Sequence, residues 1–413
     1  MNVARTRVIR RRLTPTDRVE TPYLSIPFEI TRGTPSVEVL LSYDQHAGVI
    51  DLGCEGAGGW RGWSGGARTR FVITPQNATW GYLPGELEHG TWNVVLGLHK
   101  VPAAGLKVEV TINTPAQGAV QVEPDAPAPR TPEPASAVRA LPALDGLHWF
   151  AGDFHAHTLH SDGALSIRQL AARAVNAGLD FLAVTDHNTT SHHAHLPGVS
   201  AEYGVTLLPG QEVTTARGHA NAFGRIPWVD FRKHPQSWVD AVDAAGGILS
   251  INHPIGDDCS WQWSLERKPS HAEIMHSSWQ GDLTSTGPFA WWNAWGTDRA
   301  APLGGSDFHA PEQGIEVGTP TTWVAAEDSS VDAILAGVKA GRTALSMAGT
   351  RSGAVLLRLG DELVALDADG AVFSDFEGRR RMIVGNRVSI PASAGEGPYR
   401  LESADRQILA VVA

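Results

Sequence analysis

The sequence predicts an α/β barrel preceded by a small antiparallel β-sandwich, and three observations carry that prediction. From His148 onward, apolar runs suited to strands alternate with helical stretches, the order that parallel strand pairing requires. Those runs end in polar residues: His155 and His157, Asp186 and His187, Glu212, His253, Asp307 and His309. A barrel gathers strand ends on one rim, whereas an open sheet offers mainly one crevice. Between about Ser36 and Asn113, short period-two runs such as SVEVLLSYD and LKVEVTIN, separated by turn residues, are the pattern of a sandwich.

Taken in order, residues 1–113 read as the sandwich, with the Gly-rich stretch Gly53–Gly66 as turn and Trp60, Trp63, Trp80 and Trp92 as core. Residues 114–144, with Pro115, Pro124, Pro127, Pro129, Pro132, Pro134 and Pro142, have linker composition. Residues 145–325 form the barrel, with helices expected over Ser166–Ala177 and Pro235–Ala245. Residues 326–413 lack histidine and read as barrel closure plus a small β-rich appendage. A chain of 413 residues supports this division, since about 150 residues per domain suggests two or three domains.

Composition narrows the partners. A formal net charge of -11 argues against a nucleic-acid polymer held on a general basic surface. Only Cys54 and Cys259 occur, so no disulfide framework or cysteine metal cluster is encoded, and a reducing, cytoplasmic setting is expected. Arg5, Arg7, Arg10, Arg11 and Arg12 are not followed by the apolar run of a secretory signal, and they read as a solvated, frayed terminus. No stretch approaches the roughly 20 apolar residues of a membrane span.

Fourteen of the 17 histidines lie between His148 and His309, which marks where the chemistry sits. In the stretch WFAGDFHAHTLHSDG, His155 and His157 point to one side of an extended chain, so two imidazoles converge. The SDG turn returns the Asp162 carboxylate toward them. Strand ends and loops supply nine groups in all: His155, His157, Asp162, His187, Glu212, His219, His253, Asp307 and His309. Imidazole and carboxylate without thiolate suit Zn, Mn or Fe, and nine groups are too many for one ion, so two or three divalent ions are expected. Glu212 is the one glutamate of the set and the candidate bridge.

The motifs HAH…SDG, TDHN, PGQEV, NHP and GSDFH, in that order over roughly His148 to Val324, resemble the polymerase and histidinol phosphatase (PHP) superfamily of metal-dependent hydrolases. The flanking sandwich, the GHANAFG segment and the Trp-rich stretch make the chain similar to the carbaryl-hydrolase branch. The resemblance implies a distorted seven-stranded β/α barrel with a trinuclear site at its strand C-termini. It implies that His155, His157, Glu212 and Asp307 hold the first ion and Glu212, His219 and His253 the second. Asp162, His187 and His309 would hold the third.

Two ions about 3.5–4 Å apart lower the pKa of a shared water, generate hydroxide and aim it at a phosphoryl or carbonyl centre. Asp186 is expected to orient a ligand or take a proton, and His160 and His276 to donate to a substrate oxygen. His192, His193 and His195 either line the mouth of the site or lie in solvent. Trp261, Trp263, Trp279, Trp291, Trp292 and Trp295 form an apolar pocket or pack on the barrel wall. Arg217, Arg225, Arg232, Arg267 and Arg299 are available to a phosphate. Three functions follow: hydrolysis of a small phosphoester, hydrolysis of a carbamate or carboxyl ester by the same metals, or a non-catalytic, metal-stabilised binding protein. The phosphoesterase is preferred because three cations suit a developing phosphoryl charge. The sequence leaves the substrate and the oligomeric state open.

Overall fold

The computed structural model describes residues 4–129, 139–256, 259–296, 301–347, 349–392 and 397–413. The linker residues Pro132 and Pro134, and Arg299, lie outside them. The chain divides into two compact units. The first comprises residues up to Pro124 together with Thr158–Ser166 and Asp186–Ala194, and the second holds the rest.

The first unit is built from two four-stranded antiparallel sheets. One runs Arg5–Leu13, Leu106–Thr114, Val37–Tyr43, Arg70–Ile73, and the other Tyr23–Ile30, Gly90–Lys100, Val49–Gly56, Gly59–Gly65. Alternating residues of both sheets, among them Val39, Leu41, Val108, Val110, Ile50, Leu52, Val94 and Leu96, fill one apolar core. Trp63 and Trp92 are buried, as expected of core residues.

Two expectations are corrected here. The arginine-rich start is an edge strand, Arg5–Leu13, paired along its whole length with Leu106–Thr114, rather than a frayed terminus. Its side chains are nearly all exposed, so the edge is charged, as an unpaired strand edge requires. The stretch Gly53–Gly66 is largely the facing strands Val49–Gly56 and Gly59–Gly65, not a turn. Its glycines let Trp63 lie against the backbone, since a Cβ at Gly53 would meet that ring at 2.4 Å.

In the second unit a long mixed sheet carries the site. Its order begins Ala301–Gly305, His271–His276, Ile248–Ile251, Gly218–Phe223, Thr206–Thr215, Phe181–Val184, His148–Asp153, Thr321–Ala326. Pairing is parallel except around Gly218–Phe223, which forms an antiparallel hairpin with Thr206–Thr215, and at Thr321–Ala326. That hairpin departs from the strictly alternating pattern read from the sequence. Helices Ile167–Ala177 and Pro235–Ala244 match the expected pair to within a residue. The sheet continues through Thr343–Ser346 into Ile408–Val412 and beyond. Tyr399–Glu402, Val372–Ser374 and Arg380–Met382 continue this sheet, while Val355–Leu359, Glu362–Leu366 and Arg387–Pro391 form a separate three-stranded sheet.

Phe154, Phe181 and Phe223 meet edge to face at 5.1 and 5.3 Å, and all three are fully buried. Each contributes about 1.5–3 kcal/mol by leaving water. Phe154 alternates with His155, so this apolar anchor fixes the direction in which the histidine points. Phe308, fully buried between Asp307 and His309, does the same for that pair. His271 is also buried and sets a pH limit. Burial pushes its pKa down to about 4, with a backbone hydrogen bond to Val338 opposing and Lys339 adding to the fall. The unfolded chain binds this proton and the folded one does not, so stability present above pH 6.5 is lost as pH falls toward 4. His271→Asn is expected to flatten that acid limb by about 3 kcal/mol in urea titrations between pH 7 and 4.

Candidate metal centre

In the second unit the ends of five strands bring carboxylates and imidazoles together. His155 and His157 follow His148–Asp153, as their period-two spacing requires, and their rings lie 5.0 Å apart. Glu212 lies within Thr206–Thr215, where it pairs with Asn221 of the hairpin. His219 is two residues before Asn221, so it shares a face with Glu212, and its Nδ1 lies 3.1 Å from Glu212 Oε1. His253 follows Ile248–Ile251, and its Nε2 lies 3.4 Å from the same oxygen. Asp307 follows Ala301–Gly305, with Oδ1 3.2 Å from His155 Nε2 and 3.0 Å from His157 Nε2.

Glu212 is thus common to two sets. Oε1 is 3.2 Å from His155 Nε2, and Oε2 is 3.7 Å from His157 Nε2. Ligands about 2.1 Å from one ion stand about 3.0–3.4 Å apart, which most of these separations match. The atoms of His155, His157 and Glu212 cluster within 4.8 Å, as do those of Glu212, His219 and His253.

The donor set fits divalent cations on two further grounds. His155 Nε2 is buried and makes no hydrogen bond, although two carboxylates face it. Burial would lower the pKa of His155, yet Glu273, Asp307 and Glu212 hold it well above 6.5, a measure of the negative charge gathered here. Asp307 shows the converse, since burial would raise its pKa and His155 and His157 hold it well below the usual value. Two of the candidate ligands also sit on strained backbone. His253 and Asp307 have φ of 27° and 53°, conformations that cost about 1–3 kcal/mol each for non-glycine residues.

Two residues that motif reading misses support the ligands. Glu273, buried in His271–His276, accepts a 2.7 Å hydrogen bond from His155 Nδ1–H and another at 2.8 Å from the His253 backbone N–H. With its proton fixed on Nδ1, His155 presents the Nε2 lone pair to the centre. Asn252 donates from Nδ2 to Glu212 Oε1 at 2.8 Å and accepts from the Asn221 backbone. Gly305 packs against this pair. A Cβ there would meet His155 Cβ at 2.4 Å and Glu273 Oε1 at 2.5 Å, and nothing on that backbone can yield. Gly305→Ala is expected to weaken metal retention at least tenfold in chelator competition, by displacing His155.

His309 donates from Nδ1 to the Asp307 carbonyl at 2.8 Å and stacks on His157 at 4.1 Å. In the first unit, Asp162 Oδ1 and His187 Nε2 lie 3.5 Å apart. Asp186 accepts from the Thr158 backbone and hydroxyl and from the Ser161 hydroxyl at 2.7–2.8 Å, so its carboxylate anchors the turn that carries Asp162. Arg68 binds the carbonyls of Leu159 and Ser161 in the same turn. Asp51 brings a further carboxyl that the motifs do not announce. Burial pushes its pKa up to about 7, His187 pulling it down and Asp162 pushing it up.

His160 hydrogen-bonds Ser191 at 2.8 Å within the same unit. His192 is fully buried, 3.3 Å from Asp186, so it neither lines a mouth nor lies in solvent. His195 is exposed. Of the Trp-rich stretch, Trp261, Trp292 and Trp295 are buried, and Trp261 meets both Trp238 and Trp295 edge-on. These rings pack the wall. Trp279 instead lines a small apolar cavity with Met275, His276 and Phe289. Arg217 stacks on Trp263, Arg232 pairs with Asp230, and Arg267 pairs with Asp240 and Asp243.

The PHP-domain family model matches residues 153–271. The matched stretch holds Glu212 and every candidate histidine from His155 to His253. An uncharacterized protein of Methanocaldococcus jannaschii is 24% identical over 118 residues, covering 26% of this chain and 69% of that one. A 5'-3' exoribonuclease of Salmonella typhimurium is 40% identical over 68 residues, covering 15% of this chain and 22% of the exoribonuclease. Among solved structures, a two-domain protein from Bacteroides vulgatus containing a predicted PHP-like metal-dependent phosphoesterase aligns with a TM-score of 0.37 and 15% identity, covering 71% of this chain and 91% of that one. No helix among the described residues is long and apolar enough to cross a membrane.

Proposed function

We propose that the chain is a metal-dependent hydrolase of small phosphoesters. The observation that carries this reading is the placement of Glu212, one carboxylate within 3.1–3.7 Å of four imidazole nitrogens in two sets. A carboxylate so placed could be shared by two divalent ions, and we read the strand run around it as the PHP-type barrel. His155, His157, Glu212 and Asp307 would hold one ion and Glu212, His219 and His253 the other. Bound there, such ions lower the pKa of a water and polarise the bond under attack.

The chain's own residues do the rest. Glu273 and Asn252 fix the orientation of His155 and Glu212, and Phe154 and Phe308 fix the backbone from which His155, His157, Asp307 and His309 project. Hydrolysis of a carbamate or carboxyl ester is the second reading. The apolar cavity beside His276 favours it, as do the partners that Arg217, Arg232 and Arg267 find elsewhere.

The test combines metal analysis with assays of p-nitrophenyl phosphate, bis(p-nitrophenyl) phosphate, a 5'-phosphorylated oligoribonucleotide, p-nitrophenyl acetate and an aryl carbamate, in Mn and in Zn. Turnover of a phosphoester, lost in Asp307→Ala, is expected. Faster turnover of the acetate or carbamate would favour the second reading. Turnover unchanged in Asp307→Ala, or absent from the metal-loaded parent, would overturn the enzyme altogether in favour of a binding protein.

A further inference from the structure

His276 belongs to none of the nine ligand groups, yet its ring centre lies 4.9 Å from that of His253 and 5.7 Å from that of His155. The reason is a bulge. The register of His271–His276 against Ala301–Gly305 shifts between Glu273 and Met275. In a regular strand, residues three apart face opposite sides, and the extra residue brings Glu273 and His276 to the same one.

The hydrogen bonds at His276 determine where its proton sits. It caps the 3-10 helix Ser277–Asp282, and the Ser278 backbone N–H donates to Nδ1 at 3.1 Å. The Ser278 hydroxyl lies 2.9 Å from the same nitrogen. A backbone amide only donates, so Nδ1 holds a lone pair. That excludes the imidazolium, and the neutral ring must carry its hydrogen on Nε2. Nε2 is buried and makes no hydrogen bond, with Asp307 Oδ2 3.6 Å and Glu273 Oε2 3.7 Å away. A protonated nitrogen is no metal ligand. His155, whose proton Glu273 holds on Nδ1, is the opposite case. Two neighbouring imidazoles are thus sorted, one to face a cation and one to face an anion.

We propose that His276 is a catalytic residue that donates its Nε2–H to the substrate oxygen on which negative charge develops. The inference rests on the hydrolase reading above and adds an anion-stabilising group outside the metal ligands. Removing one such donor costs about 10²–10³-fold in kcat. The hydrogen bond forms without net proton transfer, so His276 stays neutral throughout.

The test uses the full chain loaded with Zn, as His276→Ala and His276→Gln beside wild type. Glutamine places an N–H near the position of Nε2. Expected are unchanged metal content in both variants, kcat lower by about 100-fold in His276→Ala with KM nearly constant, and recovery of about tenfold or more in His276→Gln. Long-range 1H–15N correlation spectra of wild type should show a histidine protonated on Nε2 that disappears in both variants. Should the alanine variant fail to fold, the glutamine variant and the spectrum decide. Metal loss in His276→Gln, full kcat in His276→Ala, or a His276 unprotonated on Nε2 would overturn the proposal while leaving the hydrolase intact. A metal-loaded wild type that turns over none of the substrates would remove the hydrolase reading, and this proposal with it.

Discussion

Glu212→Gln is expected to lower turnover about 1,000-fold or more and to reduce bound metal by at least one ion per chain. The substitution keeps shape and volume but removes the charge that both ligand sets share. Several kcal/mol of charge stabilisation depend on that carboxylate, and each 1.36 kcal/mol is tenfold in rate. The fold should survive, because the glutamine carbonyl can still accept from Asn252 Nδ2. Metal analysis, kcat and a thermal melt on one preparation separate the two effects. Full metal content with full turnover would show that Glu212 is not the bridge.

Glu273→Ala is expected to lower metal affinity about 10–100-fold, the scale for removing a carboxylate behind a ligating histidine. It leaves the His253 backbone N–H and the His155 Nδ1–H without their acceptor, at about 1–3 kcal/mol each. Glu273→Gln keeps an acceptor but loses the charge that, against burial, His155 holds below the usual carboxylate pKa. It should fall between alanine and wild type. Competition against a fluorescent Zn chelator measures the affinities, and wild-type affinity in Glu273→Ala would refute a supporting role.

How much of this was legible in the sequence follows from what kind of information each residue carries. His155 and His157 could be placed by spacing, because period two is local geometry. His219 could be named but not located. Its approach to Glu212 depends on the hairpin turn at Gly218 and the register that pairs Glu212 with Asn221, neither of which appears in a run of apolar residues. Glu273 stayed hidden because HAEIMH reads as an ordinary strand. The bulge that turns both Glu273 and His276 inward exists only against Ala301–Gly305.

The same limit explains the amino terminus. Arg5–Leu13 has the composition of a solvated tail, and only pairing with Leu106–Thr114, about a hundred residues away, makes it a strand. Asp186 illustrates a different gap. Its position beside His187 suggested that it orients a ligand or takes a proton, but not that its oxygens would be held by Thr158 and Ser161 in the turn that carries Asp162. Adjacency in sequence does not say which atoms a carboxylate will hold.

The most direct measurement of the central claim is the metal content of the purified full chain, dialysed, reloaded with Mn or Zn and analysed by mass spectrometry beside Glu212→Gln and Asp307→Ala. The account predicts at least two divalent ions per wild-type chain and fewer in each variant. A wild-type chain that retains no divalent ion after reloading, or variants that bind as many as wild type, would contradict it.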